Sequence, residues 1–113
     1  MHKLMEATQE FKSVIAEGET FILIDQEGFG EEFSMGRNKI PFLEKDGQFD
    51  GMPLDDQLAI EAFDRLKRRH PRYAVFGWPC FWWFDHYKNF HQYILNQSEC
   101  ILSNERLRIY QLM

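Results

Sequence analysis

A thiol and an imidazole lie six residues apart in the most aromatic stretch of the chain, where they could act as a nucleophile and its general base. These residues are Cys80 and His86. A reactive cysteine needs a nearby cation or a helix N-terminus to lower the pKa of its thiol. A helix start near Cys80 would lower this pKa, but the surrounding aromatic residues would raise it. We therefore interpret Cys80 as a small apolar residue packed under the tryptophans.

A second group able to bind a ligand is Asp25 with the two glycines that follow it, Gly28 and Gly30. This segment partly resembles the acidic residue and Gly-x-Gly turn of S-adenosylmethionine-dependent methyltransferases. The third glycine of that pattern is absent, the glycines come late after Asp25, and the next two residues, both glutamates, would repel a phosphate. We interpret the pair as turn glycines and predict no cofactor.

Two histidines and an aspartate come closest to a metal-binding pattern. His86 and His91 are spaced i, i+5, which places them about 140° apart on a helix, unlike the i, i+4 pair of zinc proteases. They therefore do not share a face, and no metal ion is predicted. Asp85 is expected to cap the helix that begins near it.

All three tryptophans, Trp78, Trp82 and Trp83, belong to the same aromatic stretch. Trp83 begins a stripe with helical spacing that should pack on a sheet, formed with Tyr87, Phe90 and Ile94. Trp82 points elsewhere. If Trp82 and Phe81 both reach the surface, they form an apolar patch of the kind that marks an interaction site.

The charge distribution narrows the classes of partner. The chain of 113 residues has a net charge of −5, and its first 62 residues hold 14 acidic and 5 basic side chains. An acidic half of this kind argues against nucleic acid or an anionic membrane as the main partner. The basic run from Arg65 to Arg72 is interpreted as a complement to the dipole of the helix that it ends.

Cysteine usage and hydropathy favour a cytoplasmic protein. Cys80 and Cys100 lie in apolar settings, and two thiols do not make a disulfide framework. Residues 1–18 contain no continuous apolar run, which excludes a usual signal peptide. No stretch approaches the roughly 20 apolar residues that a transmembrane helix needs.

The elements that would position these residues alternate between helix and strand. Helices are predicted over 3–16, around 30–35, after Asp55 and Asp56, and after the tryptophans. Strands are predicted over 20–25, 39–43, 73–78, 99–103 and 106–112. Residues 44–53 are predicted to be a polar loop, and Pro41 favours an edge position for the second strand.

This alternation predicts one α/β domain over residues 1–113. We expect a three-layer α/β/α Rossmann-like sandwich, whose mostly parallel five-stranded sheet ends in an antiparallel hairpin. The predicted strand order is 2-1-3-5-4, with only the last strand antiparallel.

In an open parallel sheet, ligands bind at the carboxyl ends of the strands, where the strand order reverses. Here that position belongs to the loops at 25–30 and 77–84. The residues of this candidate pocket are Asp25, Gly28, Gly30, Trp78, Cys80, Phe81, Trp82 and Asp85.

The segment 81–87, Phe-Trp-Trp-Phe-Asp-His-Tyr, resembles the double-tryptophan turn of a small α/β domain of unknown function. That domain occurs alone in bacteria and cyanobacteria, or is appended to glycosyltransferases and other enzymes of surface-polysaccharide modification. Weaker matches extend over residues 20–112, at Ile22–Asp25, Ile40–Phe42, Gly47, Gly51, Ala59, Ile60, Phe63, Leu66, Val75, Phe76 and Leu107–Leu112. The resemblance implies the α/β fold and a recognition role beside a glycosyltransferase, but no catalytic residue.

Three hypotheses of function remain. The first is a non-catalytic domain that recognises a protein partner, such as a glycosyltransferase, or a sugar through the aromatic turn. The second is a small enzyme or ligand-binding domain that takes a nucleotide or S-adenosylmethionine between residues 25–30 and 77–80, with Asp25 and Asp85 as polar groups. In the third, the aromatic turn is entirely core and the exposed acidic loop 44–56 carries the recognition. Self-association is compatible with each of them.

Overall fold

The computed structural model describes residues 3–113. Its helices and strands are α1 (Lys3–Val14), β1 (Thr20–Ile24), β2 (Asn38–Pro41), β3 (Glu44–Lys45), β4 (Gln48–Phe49), α2 (Asp56–Lys67), β5 (Tyr73–Gly77), α3 (Trp83–His86), α4 (Lys88–Leu95), β6 (Ser98–Ser103) and β7 (Leu107–Leu112). Two short 3₁₀ helices, Glu31–Ser34 and Trp78–Cys80, follow β1 and β5. No helix within this range is long and apolar enough to cross a bilayer.

The main sheet has five strands in the order β2-β1-β5-β7-β6. Strand β1 is parallel to β2 and to β5, whereas β7 is antiparallel to both of its neighbours, β5 and β6. The predictions of a mixed α/β fold with a mostly parallel sheet and of the strand order are therefore confirmed. Strand β2 lies at the edge, as expected from Pro41.

The two central strands are buried on both faces because apolar residues occupy consecutive positions. Their side chains alternate between two apolar clusters. Ile22, Ala74 and Phe76 pack with α2 and α4 on one face of the sheet. Leu23 and Val75 pack with α1 on the other face. The carboxyl ends of β1 and β5 therefore emerge side by side between these helices.

Both Asp55 and Asp56 were predicted to cap the start of helix α2, and only Asp55 does so. The side chain of Asp55 caps the helix by accepting a hydrogen bond from the backbone N–H of Leu58. Asp56 instead accepts a hydrogen bond from the backbone N–H of Phe90, at 2.9 Å. This bond joins the start of α2 to α4.

The helix predicted after the tryptophans is divided in two. The backbone of Tyr87 leaves the helical conformation, with φ −110° and ψ 65°, so α3 ends before it and α4 begins after it. The Tyr87 hydroxyl donates a hydrogen bond to the carbonyl of Pro53 at 2.6 Å, which fixes the break. The predicted stripe from Trp83 to Ile94 is nevertheless buried along its whole length.

Two further local predictions are wrong. Asp85 does not cap a helix, because α3 already begins at Trp83 and no side chain caps it. The predicted polar loop 44–53 contains the hairpin of β3 and β4. Asp46 and Gly47 both have positive φ, as expected for a two-residue turn of type I′.

Candidate functional site

The loop after β1 is built around a buried carboxylate. Asp25 accepts hydrogen bonds from the backbone N–H groups of Glu27 at 2.9 Å and Phe29 at 3.0 Å, one on each oxygen. Its carbonyl accepts a third bond, from the N–H of Gly28. Burial raises the pKa of Asp25, and the two N–H donors act in the opposite direction. Both oxygens of the carboxylate are therefore occupied in forming the turn.

The crevice predicted between the two loops is filled by the chain itself. The ring of Phe29 lies on the backbone of Gly77 so closely that a Cβ atom at Gly77 would stand 2.4 Å from its Cζ. Pro79 packs against Gly28 at an ordinary contact distance, 3.4 Å from the position of an added Cβ. The contact of Phe29 with Gly77 is closer and requires glycine, because a Cβ atom would overlap the ring. Asp25 and Cys80 are consequently covered by protein atoms.

A glutamine that the sequence reasoning missed joins the two loops. The side-chain oxygen of Gln26 accepts hydrogen bonds from the indole N–H of Trp82 at 3.0 Å and from the thiol of Cys80 at 3.5 Å. The backbone of Gln26 is in the left-handed region, with φ of 53°, in the turn that places its side-chain amide beside Trp82 and Cys80. No spacing rule relates residues this far apart, and only the parallel pairing of β1 with β5 brings them together.

Cys80 is fully buried, and its surroundings do not activate the thiol as a nucleophile. Burial and the nearby charge of Asp25 raise the pKa of its thiol to about 12. His86, the base considered from the sequence, packs against Trp82 and Tyr87. The thiol hydrogen-bonds to Gln26 instead, so the interpretation of Cys80 as a packed apolar residue agrees with its surroundings.

We expect a thiol reagent at pH 8 to modify one cysteine of the native chain and both cysteines of the unfolded chain. Cys100 is exposed and reacts, whereas Cys80 is shielded and protonated. Mass spectrometry of the iodoacetamide adduct, with and without urea, identifies the modified residue. Rapid modification of Cys80 in the native chain would show that the loops open.

Two other aromatic residues of the candidate pocket, Trp78 and Phe81, pack on opposite faces of the sheet. Trp78 packs on Phe29 at a centroid distance of 4.8 Å, on the face of the sheet that holds α1. Phe81 packs on Phe84, on the opposite face. Trp82 contacts Trp83 and Tyr87 of the same cluster. Phe81 is only partly exposed, so its joint patch with Trp82 stays a prediction. Gly30 and Asp85 are both exposed.

Trp82 is 41% exposed, whereas its neighbour Trp83 is 1% exposed. The ring of Trp82 packs on His86 and Tyr87, at centroid distances of 5.5 and 5.9 Å. The bond from Tyr87 to Pro53 places the loop before α2 beside this ring. That loop and the first turn of α2 carry exposed apolar side chains at Met52, Leu54 and Leu58. We call these residues, with Trp82 and His86, the Trp82 surface.

Two concavities lie elsewhere on the molecule. One, of about 820 Å³, follows the edge strand β2 and is lined by polar residues that include Lys39 and Arg69. The other, of about 760 Å³, lies between α1 and the loop at 29–35. Neither concavity is lined by any of residues 77–84. Within residues 3–113, no group of three or more histidine, cysteine, aspartate or glutamate side chains could hold a metal ion.

Comparisons with known proteins give no assignment. No family model matches the chain, and neither the curated proteins nor the solved structures include a match. The resemblance at the double-tryptophan turn therefore stays a prediction.

Proposed function

We propose that this chain is a non-catalytic cytoplasmic domain that recognises a protein partner through the Trp82 surface. The observation that carries the proposal is a large aromatic side chain that is 41% exposed although its orientation is fixed. Tryptophan is the residue type most enriched among the energetic hot spots of protein interfaces. We also infer a three-layer Rossmann-like arrangement that closes with an antiparallel hairpin, since helices pack on both faces of the sheet.

The side chain of Trp82 is preorganised for binding a partner. Its indole N–H is already bonded to Gln26, so a partner does not have to provide an acceptor for it. Contacts with His86 and Tyr87 restrict the rotation of the ring. Binding therefore loses little side-chain entropy at this position, which improves affinity for a given contact area.

The neighbouring loop enlarges the apolar area available to a partner. Leu54 is 87% exposed, although leucine normally gains free energy from burial. Met52 and Leu58 flank it and are each close to half exposed. Met52 and Leu54 belong to the acidic loop 44–56, and Leu58 lies in the first turn of α2. The proposed surface therefore includes part of the loop that the third hypothesis names. Exposed apolar side chains grouped in this way are typical of interaction sites.

The competing proposal of a small enzyme or ligand-binding domain has less support. The carboxylate of Asp25 is occupied by backbone N–H groups, and the thiol of Cys80 has a pKa of about 12. Phe29 and Pro79 fill the space at the carboxyl ends of β1 and β5. Asp85, the other polar group of that hypothesis, lies exposed on α3.

The partner to test first is a glycosyltransferase of surface-polysaccharide modification, because that is the context implied by the double-tryptophan turn. The immobilised chain would be used to capture proteins, and a captured glycosyltransferase would then be purified and titrated by calorimetry. We expect Trp82→Ala to weaken its affinity about 30-fold or more, as at an interface hot spot.

Leu95→Ala is the matched control, because Leu95 is also 41% exposed but lies at the end of α4. We expect this variant to keep the affinity of the unchanged chain. Equal binding by the Trp82→Ala chain would refute the proposal. Loss of binding to an oligosaccharide instead of a protein would assign the same ring to sugar recognition.

A further inference from the structure

An arginine on β7 rests on aromatic rings instead of pairing with a carboxylate. The guanidinium carbon of Arg108 lies 4.2 Å from the centroid of the Phe84 ring and 5.6 Å from that of Phe81. Phe81 directly precedes Trp82 in the chain, and Phe84 belongs to α3. Stacking of this kind holds a guanidinium in a fixed plane and leaves its N–H groups without acceptors from the rings.

The charge of Arg108 is not compensated within the described part of the chain. No carboxylate of residues 3–113 lies within 4.0 Å of it, although the protein has 18 acidic residues. Its Nε is buried and has no hydrogen-bond partner. Arg106, two residues earlier, forms hydrogen bonds from Nε and one Nη to Glu10. The hydrogen bond between Arg108 and the Tyr110 side chain supplies no opposite charge. A half-buried cation of this kind is stabilised when an anion binds it.

An imidazole and a phenol lie beside this guanidinium. His91 stacks on the same Phe84 ring at 4.4 Å, and its Nε2 lies 2.9 Å from the Tyr110 hydroxyl. Burial, followed by the charge of Arg108, lowers the pKa of His91. Arg108 lies opposite Ser103 of β6 in the sheet. Strand β6 is an edge strand, so Arg108 is one strand away from the edge of the sheet.

We infer that Arg108 is the anchor of an oxyanion-binding site that takes a carboxylate or phosphate group. The guanidinium offers parallel donors that match two oxygens of either group. The rings of Phe81 and Phe84 orient it, and His91 lies near enough to respond to a bound charge. This inference does not depend on the proposed partner of Trp82.

The pKa of His91 can be used to measure anion binding at Arg108. An anion beside Arg108 offsets the positive charge that lowers the pKa of His91, so binding raises this pKa. We expect sodium phosphate or sodium acetate, added at constant ionic strength against sodium chloride, to raise it saturably in NMR titrations of the whole chain. The anion that acts at the lower concentration identifies the preferred group. No change with either anion would overturn the inference.

Three substitutions distinguish a specific site from general screening. In Arg108→Gln the pKa of His91 is expected to be higher from the start, and anion affinity to fall at least about tenfold. Arg108→Lys keeps the charge without the paired donors and should bind about threefold or more weakly, which tests the site even if the glutamine variant does not fold. Arg68→Gln, at an exposed arginine that follows α2, should behave as the unchanged chain. Equal affinity in all of these variants would contradict the inference.

Discussion

Replacing Trp83 with alanine is expected to lower the free energy of unfolding by about 3–5 kcal/mol, the range for a fully buried large aromatic side chain. Trp83 is 1% exposed and contacts the rings of Phe42, Tyr87 and Phe90. Its indole N–H has no acceptor among residues 3–113, so its contribution comes from apolar packing alone. Alanine would leave a cavity between α3 and the sheet.

The adjacent substitution Trp82→Ala is the control, since it removes the same side chain from the neighbouring position. It removes one hydrogen bond to Gln26 and a partly exposed ring, and should cost only about 1 kcal/mol. Urea unfolding followed by far-UV circular dichroism measures both values. Equal losses for the two variants would mean that Trp82 is a structural residue, and this would remove the basis of the proposed function.

Replacing Gly77 with alanine is expected to cost about 1–3 kcal/mol or more, as for overpacking of a filled core. The added Cβ would stand 2.4 Å from Cζ and 2.6 Å from Cε2 of Phe29. The ring cannot move away freely, because Phe33 and Trp78 pack against it. The loops after β1 and β5 would have to separate to make room for the methyl group.

A double-mutant cycle tests whether this contact is the cause. Phe29→Ala alone should destabilise the protein by about 3–5 kcal/mol. In the Gly77→Ala, Phe29→Ala double variant the clash is gone, so the total loss should be smaller than the sum by about 1–3 kcal/mol. Additive losses in urea unfolding would show that Gly77 is required for another reason.

Patterns that depend on neighbouring residues predicted the strands and their order well. The consecutive apolar residues of Thr20–Ile24 and Tyr73–Gly77 require burial on both faces, which a central position in the sheet provides. Pro41 lacks a backbone donor and therefore favours an edge. The apolar spacing from Trp83 to Ile94 indicated which side chains are buried, although the helix is interrupted at Tyr87.

The candidate site was predicted less well, because its contacts join residues that are far apart in the chain. The sequence placed the loops 25–30 and 77–84 at one end of the sheet, and the structure brings them together there. It did not reveal that Phe29 and Pro79 close the space between them. It also did not connect Gln26 with Trp82, which are 56 residues apart.

Local residue types and spacing thus determined the elements of this protein, the burial of its central strands and the separation of Trp83 from Trp82. Only the tertiary structure decided that Trp82 has a fixed orientation and that Arg108 lies on aromatic rings without a carboxylate. The reason is physical: burial periodicity acts within one helix or strand, whereas these contacts depend on which side chains of distant segments meet when the sheet forms.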